Sequence, residues 1–388
     1  MRPRTKARAP LRLPRRTHNT VSSARRIVIK IGSSTLASDE GGIDRAWVNR
    51  LAEQVCELLS AGMQVVVVTS GAIAAGVARL GMKSRPSDMP SLQAAASVGQ
   101  VSLVEAYAEA FSARGVAVGQ VLLTRNDTGH RESFLHARDT FERLLALGAV
   151  PVVNENDTIA VEEIRFGDND TLAALVATMI GADLVVLLSD IAGLYDADPR
   201  LCAEATLLAQ VDELTDDMVA AAGGAGTATG SGGMATKIEA AKVLMKAGIP
   251  MVICDGRRTG VLRDAVAGDD VGTTFDGGES TVSARKLWIA LGSNPAGRIV
   301  VDDGAAQALR QRHTSLLPAG VVSVSGEFAA GDPVALVDGM GSLVARGLSE
   351  LSSADLDRIK GLKTSEVTGV LPHLVGGEVV HRDRLVVL

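Results

Sequence analysis

The chain has 388 residues and a formal net charge of −6, and 46% of its residues are hydrophobic while 3% are aromatic. This length predicts more than one domain, with cores built mainly from aliphatic side chains. No apolar run approaches the roughly 18 residues that a membrane-spanning helix needs, so we expect a soluble protein without a membrane partner. The three cysteines are widely spaced in apolar contexts, which favours neither a disulfide framework nor a zinc site and fits a reducing cytoplasm.

The N-terminal segment 1–25 is basic. Residues 1–26 hold nine of the 39 Lys and Arg residues and no Asp or Glu, which leaves 30 basic against 45 acidic residues in the remainder. We interpret residues 1–25 as a disordered, solvated extension. A transit peptide, or a start assigned too far upstream, would give the same composition, and both alternatives stay open.

Short apolar runs alternate with helical patterns through the first two thirds of the chain. Such runs are typical of strands buried on both faces, and they lie at 27–31, 65–69, 116–123, 150–153, 184–188 and 249–254. After Asp44, a candidate N-cap, apolar residues recur at helical spacing from Trp47 to Leu58. Strand and helix in turn predict an α/β domain at 26–292, with a mostly parallel sheet sandwiched between helix layers.

The pattern changes after Phe275. Residues 285–291 are interpreted as one more strand, and 293–297 as a linker. Beyond the linker, helices are predicted near 305–312 and 353–359. Short strand-like runs separated by Gly and Asp turns are predicted at 299–301, 321–324, 333–337, 343–345 and 379–380. Together these elements predict a small β-rich domain at 296–382.

Two polar clusters flank the centre of the first domain. The sequence NEND at 154–157 follows the fourth apolar run, and GDND at 167–170 opens an apolar helical stretch at 171–180. Asx-turns or helix caps would explain either cluster alone, but together they hold more amides and carboxylates than two caps require. In residues 159–166 apolar residues alternate on either side of a central Glu pair, which predicts a small hairpin that forms a lid over the site. Because open α/β folds bind ligands at the carboxyl ends of their strands, the clusters predict a pocket for a small charged ligand.

Other predicted strand ends carry groups suited to anions. Lys30 precedes a glycine turn at 32–34, and a second such turn follows at 69–72. The glycine-rich stretch 223–233 then leads into Lys237 at the start of an Ala-rich helix, an arrangement that can cradle phosphates. Taken alone, Lys30 would equally fit a solvated charge at a strand end.

The glycine-rich stretch bears on two known nucleotide-binding motifs, the P-loop and the dinucleotide-binding fingerprint. The P-loop pattern G-x-x-x-x-G-K-[ST] does not occur. Residues 230–235 fit G-x-G-x-x-A with Asp255 twenty residues on, so a dinucleotide-binding enzyme is the rival hypothesis. That fingerprint must follow an apolar strand, whereas 220–230 is Ala, Gly and Thr, which argues against it. The six histidines show no metal-ligand spacing, so no protein-built metal site is predicted.

Six segments along the chain share a pattern with known enzymes, and they are Lys30 with IGSS, VTSGAIAAG (68–76), NEND (154–157), FGDND (166–170), LLSDIAGLYDADPR (187–200) and SGGMATK (231–237). In this order they resemble the glutamate 5-kinases of the amino-acid kinase family. The similarity spans about residues 26–388, and the C-terminal region resembles the PUA domain of many bacterial members. NEND and FGDND distinguish this resemblance from the aspartate, acetylglutamate, carbamate and nucleotide kinases of the same fold. Ser231 stands where that family often has Thr, which keeps a hydroxyl.

The resemblance implies ATP-dependent phosphorylation of the γ-carboxylate of L-glutamate to L-glutamyl 5-phosphate, the first step of proline biosynthesis. It implies that Lys30 and Lys237 stabilise the transferring phosphoryl group, and that Asp170 orients both lysines. Mg²⁺ is expected to arrive on the nucleotide phosphates. The implied glutamate-binding residues are Ser70, Asp157 and Asn169, and the implied ATP-binding residues are Lys30, Ser189, Asp190, Ser231, Gly232, Gly233, Met234, Ala235, Thr236 and Lys237.

The resemblance also implies partners. It implies a homo-oligomer, dimer or tetramer, with proline as feedback inhibitor and a hand-off of product to a glutamyl phosphate reductase. The loop 124–131 is a candidate for sensing proline. PUA domains elsewhere bind RNA, but residues 296–388 hold nine basic and eleven acidic residues. RNA binding calls for a basic face, so a structural or regulatory role is favoured for this domain.

Overall fold

The computed structural model describes residues 21–38, 41–124, 131–159, 169–199, 202, 204–215, 218–219, 233–278, 295–312, 314–371 and 377–387. The predicted lid from residue 160 onward, the strand at 285–291 and the glycine-rich segment up to residue 232 lie outside these residues. Within the basic segment, Val21 and Ala24 are buried in a core of the α/β domain. Among the described residues, no helix is both long and apolar enough to cross a membrane.

The first domain is built on one sheet, which has eight strands in the described part of the chain. Their order is β3-β4-β2-β1-β5-β7-β8-β6, and the pairs are parallel except β7 with β8. The predicted mostly parallel sheet is therefore confirmed. The strands are β1 (Arg26–Ile31), β2 (Gln64–Val68), β3 (Val118–Leu123), β4 (Val150–Glu155), β5 (Leu184–Ser189), β6 (Gln210–Val211), β7 (Met251–Asp255) and β8 (Gly272–Phe275).

Helices cover both faces of this sheet and create two cores. Along β1, Ile27 and Ile29 face one core and Val28 the other, because side chains alternate across a strand. Asp44 caps the second helix, and its carboxylate accepts from the Trp47 N–H at 2.8 Å, as predicted. The helices are α1 (Ser33–Leu36), α2 (Arg45–Ser60), α3 (Ala72–Arg79), α4 (Met89–Ser112), α5 (Arg131–Ala146), α6 (Asn169–Ile180), α7 (Met234–Ala247) and α8 (Val261–Ala267).

The C-terminal domain has a second, mostly antiparallel sheet in the order β10-β9-β11-β12-β13. The strand predicted at 379–380 is wrong, since Val380 makes only an isolated bridge to Leu316. Leu348 of this sheet is buried against Phe134 of α5, so the two domains are in contact. The elements are β9 (Gly297–Val301), α9 (Asp303–Arg312), β10 (Val321–Ser325), β11 (Pro333–Val337), β12 (Leu343–Leu348), α10 (Ser353–Ile359), α11 (Thr364–Val370) and β13 (Leu385–Val387).

Helices α3 and α4 touch backbone to backbone. A Cβ atom added at Gly99 would lie 1.7 Å from the Ala72 carbonyl oxygen, and one added at Gly76 would lie 1.7 Å from that of Ala95. No side chain other than hydrogen fits at either position. Since α3 begins two residues after Ser70, this crossing fixes where the end of β2 lies.

We expect Gly99→Ala to lower the free energy of unfolding by about 1–3 kcal/mol, because the methyl group must push the two helices apart. Urea unfolding of the full chain measures this change. Gly369→Ala is the matched control, since that glycine is also helical and has nothing within 4 Å of an added Cβ. The control should gain up to about 1 kcal/mol from helix propensity. Equal unfolding midpoints for the two variants would contradict the close crossing.

Candidate functional site

A buried carboxylate held by two ammonium groups forms the centre of the site. Asp170 is fully buried, with Oδ1 2.5 Å from Lys30 Nζ and Oδ2 3.0 Å from Lys237 Nζ. The lysines are only 4% and 6% exposed. The three residues form a cluster of net charge +1 that is largely removed from water. A cluster of that sign and burial is suited to attract and hold an anion.

Three separate elements supply this cluster. Lys30 is the penultimate residue of β1, Asp170 is the second residue of α6, and Lys237 lies in the first turn of α7. By alternation along β1, Lys30 shares the face of Val28, which α6 and α7 cover. The α6 macrodipole stabilises a carboxylate at its start, while the α7 dipole disfavours a lysine in its first turn. The ion pair with Asp170 offsets that penalty for Lys237.

Thr236 supports the same carboxylate. Its Oγ1 lies 3.2 Å from Asp170 Oδ2 and 2.8 Å from the Gly233 carbonyl oxygen. The hydroxyl therefore ties the start of α7 to the start of α6. The resemblance places Thr236 among the nucleotide-binding residues, and its hydrogen bond to Asp170 is a contact that the sequence did not predict.

An amide network adjoins the ion cluster. The Asn169 Nδ2 atom lies 2.8 Å from the Thr69 carbonyl oxygen, 2.9 Å from Ser70 Oγ and 3.0 Å from Asn154 Oδ1. Three acceptors around one terminal atom identify it as the NH₂ group. Asn154 Oδ1 also accepts from the Glu155 N–H at 2.9 Å. The network joins the ends of β2 and β4 to the first residue of α6.

Two amide atoms in this network remain open. Within the described part of the chain, Asn154 Nδ2 and Asn169 Oδ1 are buried and have no hydrogen-bond partner. Ser70 Oγ already accepts from Asn169, so its hydroxyl hydrogen is free to donate. Buried polar atoms are normally paired, so open ones at the end of a strand indicate a ligand. The open set comprises two donors and one acceptor, a combination that suits a carboxylate beside an ammonium.

The remaining predicted residues take varied positions. Asp157 is half-buried in the turn after β4, three residues beyond Asn154. Ser189 ends β5, and its hydroxyl donates to the Asp190 carboxylate at 3.2 Å. Gly233 is the N-cap of α7, whose first turn contains Met234 and Ala235, and it makes no side-chain cap, which leaves backbone N–H groups at that helix start. Ser231 and Gly232 lie outside the described residues.

Asn154 is the residue of this site that sequence reasoning left without a role. It belongs to the NEND segment, so its neighbourhood was found, but its open Nδ2 atom depends on what its Oδ1 atom contacts.

No group of three or more His, Cys, Asp or Glu residues able to hold a metal occurs in the parts of the chain that are described. Thr124 is buried at the end of β3, and the rest of the candidate proline loop, from 125 to 130, lies outside the described residues.

Comparison with known proteins identifies the family. The profile described as the amino acid kinase family matches residues 25–255, and the PUA domain profile matches 297–371. A glutamate 5-kinase from Moorella thermoacetica is 47% identical over 368 residues, covering 95% of this chain and 97% of that protein. Those from Caldanaerobacter subterraneus subsp. tengcongensis and Geobacter sulfurreducens are 46% and 45% identical, covering 94% and 95% of this chain and 98% and 99% of theirs. The chain therefore belongs to the amino acid kinase family, among the relatives named glutamate 5-kinase.

Proposed function

We propose that the protein transfers the γ-phosphoryl group of ATP to the γ-carboxylate of L-glutamate, giving L-glutamyl 5-phosphate in the first step of proline biosynthesis. The observation that carries this proposal is the adjacency of two sites at the start of α6. Asn169 belongs to the amide network, and Asp170 belongs to the ion cluster. A small molecule with an amino-acid end and a reactive carboxylate can occupy both sites at once. The name shared by the relatives supports glutamate as that molecule.

The nucleophile in this reaction needs no general base. A glutamate side chain has a pKa of about 4.3 and is already ionised at neutral pH. The difficulty is instead the repulsion between an anionic carboxylate and an anionic nucleotide. The net positive cluster of Lys30, Asp170 and Lys237 offsets that repulsion, and positioning supplies much of the remaining catalysis.

Asp170 acts in this scheme by aiming the lysines. Each ammonium group has three N–H donors, and the contact with Asp170 engages one side of each. The other donors of Lys30 and Lys237 are then directed by the same contact. Donors that are already placed need no reorganisation as charge develops on the transferring group, which is the main source of electrostatic catalysis.

The amide network would hold the amino-acid end of glutamate. The Asn154 NH₂ group and the Ser70 hydroxyl can donate to the α-carboxylate, and Asn169 Oδ1 can accept from the α-ammonium. Asp157 supplies a negative charge for the ammonium, as the resemblance implies. These groups bind parts of glutamate that do not change during transfer, so they set affinity and substrate choice.

The nucleotide would lie over the start of α7 and the end of β5. The uncapped first turn of α7 offers backbone N–H groups, and Ser189 and Asp190 flank the same edge of the sheet. Both oxygens of Asp170 already face lysines, so this carboxylate is poorly placed to bind a metal. The site therefore suits Mg²⁺ that arrives with ATP and is held mainly by phosphate and water oxygens.

Further partners are proposed on the resemblance. They are a homo-oligomeric state, feedback inhibition by proline, and hand-off of the readily hydrolysed acyl phosphate to a reductase in the cytoplasm. The C-terminal domain contacts Phe134 of α5, the helix that follows the candidate proline loop 124–131. This contact supports a structural or regulatory role for the domain, and its excess of acidic over basic residues argues against RNA binding.

The substrate assignment is tested with a panel of acids. With ATP, Mg²⁺ and hydroxylamine as a trap, the full chain should form hydroxamate from L-glutamate and much less from L-aspartate or N-acetyl-L-glutamate. Aspartate is one methylene shorter, so with its amino-acid end in the amide network its carboxylate would lie short of the position that the glutamate carboxylate takes at the ion cluster. Preferred turnover of either competitor, or binding of NAD without turnover of ATP, would overturn the assignment.

The two halves of the site should respond differently to substitution. Lys30→Met, Lys237→Met and Asp170→Asn should each lower kcat by about 10²–10³, the scale for losing one preorganised electrostatic stabiliser. Asp157→Asn should mainly raise the KM for glutamate and leave the KM for ATP nearly unchanged, because it removes uniform binding. Steady-state kinetics with each substrate varied measures both effects.

Lys242→Met is the matched control for these lysine variants. Lys242 lies on α7 like Lys237, but it is partly exposed and pairs with Glu239 at 2.7 Å. Its loss should leave kcat and both KM values within about twofold, since an exposed ion pair contributes little. A fall in kcat for Asp157→Asn with unchanged glutamate KM would show that the two halves do not have separate roles.

A further inference from the structure

A buried pair of hydroxyl groups lies behind the proposed glutamate site. The Tyr107 hydroxyl of α4 is 3.0 Å from Thr69 Oγ1, and both residues are fully buried. Thr69 follows the last residue of β2. Its N–H donates to the Val153 carbonyl oxygen at 2.8 Å, one residue beyond the last paired residue of β2 with β4, Val68. The hydroxyl pair therefore holds the chain in place where the pairing of β2 with β4 ends.

The strand pleat sends successive residues to opposite faces here. Val67 packs in the core that contains Tyr107, and Val68 packs in the core beneath α6. The next two residues continue this alternation, with Thr69 directed to Tyr107 and Ser70 to Asn169. Gly71 then turns the chain into α3 with a φ of 94°, a value that glycine adopts without strain.

The hydrogen bonds of Thr69 and Ser70 form a continuous relay. Thr69 Oγ1 lies 3.3 Å from the Ser70 carbonyl oxygen, so its hydrogen can point there while its lone pair accepts from the Tyr107 hydroxyl. On the opposite side, Asn169 Nδ2 contacts the Thr69 carbonyl oxygen and Ser70 Oγ. The dipeptide is clamped between α4 and α6. Releasing one side leaves Ser70 and Asn169 less well placed.

We propose that Tyr107 and Thr69 are positioning residues for the amino-acid end of the substrate, acting through Ser70 and Asn169. This inference rests on the proposed function. Neither residue touches the substrate, so their effect appears as the accuracy with which the open donor and acceptor atoms are held. The ion cluster receives no hydrogen bond from this pair, so the transfer step itself is left unaffected.

Burial also keeps the tyrosine hydroxyl protonated. Desolvation raises the pKa of Tyr107 above the ordinary value of a phenol, while its hydrogen bond with Thr69 acts in the opposite direction to a smaller extent. The phenol therefore stays neutral at neutral pH and keeps a hydrogen that it can donate. Its replacement by Phe removes one hydroxyl group and keeps the ring.

The test compares kinetics and stability in full-length variants. Tyr107→Phe and Thr69→Val should each raise the KM for glutamate about 3- to 10-fold, which is the range for one lost hydrogen bond. The KM for ATP and kcat should stay within about twofold of the wild-type values. Thr69→Ser keeps the hydroxyl and should restore the glutamate KM.

The double variant Tyr107→Phe with Thr69→Val separates positioning from folding. Each single variant leaves a buried hydroxyl without its partner, whereas the double variant replaces both and should recover much of the thermal stability. The proposal requires the glutamate KM of the double variant to remain raised. Recovery of KM together with stability would overturn it, because the pair would then serve only the core.

Phe111→Leu is the control for disturbance of the core. Phe111 is fully buried one turn further along α4 in the same core, and its loss should lower the melting temperature without changing the glutamate KM. An equal rise in KM in this control would overturn the proposal. A wild-type chain that turns over glutamate beside a Tyr107→Phe variant of unchanged KM would overturn the positioning role alone. A wild-type chain without glutamate turnover would overturn the proposed function as well.

Discussion

The fold of the first domain converges on one carboxylate that neutralises part of a buried positive charge. Burying an unpaired lysine is strongly unfavourable, and Lys30 and Lys237 are both almost fully buried. Asp170 makes their burial tolerable, yet one negative charge between two positive ones leaves the cluster net positive. Since β1, α6 and α7 each supply one member, the cluster is complete only when all three elements have packed on the sheet.

The start of α6 sets the spacing between the two halves of the site. Asn169 and Asp170 are consecutive, so their side chains diverge from neighbouring Cα atoms at a fixed angle in the first turn of a helix. One turns to the ends of β2 and β4, and the other turns to Lys30 and Lys237. A displacement of α6 would therefore shift Asn169 and Asp170 together and weaken the contacts of both halves. In the proposed reaction, the length of the substrate must match the separation of the two halves.

The sequence predicted the parts of this structure that have a local cause. Apolar runs located β1, β2, β4, β5 and β7 closely, because strands buried on both faces need apolar residues throughout. Strands β6 and β13, of two and three residues, were missed, since such short segments carry no periodicity. Val380 is of a residue type that favours strands, yet it forms only an isolated bridge to Leu316. Local preference did not determine that pairing.

The sequence predicted which residues belong to the candidate site, but only some of the contacts that these residues make. NEND and the segment ending in Asp170 predicted the edge of the sheet where these residues lie, because open α/β folds bind ligands at the carboxyl ends of their strands. The open Nδ2 atom of Asn154 and the hydroxyl contact of Tyr107 with Thr69 were not predictable, since each depends on a partner brought from elsewhere in the fold. A tyrosine at helical spacing among apolar residues has the pattern of an ordinary core residue.

The proposed chemistry gives a reason why the buried hydroxyl groups of Tyr107 and Thr69, which lie outside the site, would affect substrate binding. The nucleophilic carboxylate is ionised before it binds, so no side chain has to be tuned to take up its proton. What remains for the protein is to hold two anions at bonding distance against their repulsion, and that depends on the placement of donors rather than on their acidity. Placement of the amino-acid end depends in the same way on its supports, which are the close crossing of α3 and α4 at Gly76 and Gly99 and the hydrogen bonds to Thr69 and Ser70. In a site of this kind, a core residue affects function when its packing holds a substrate-binding group in place.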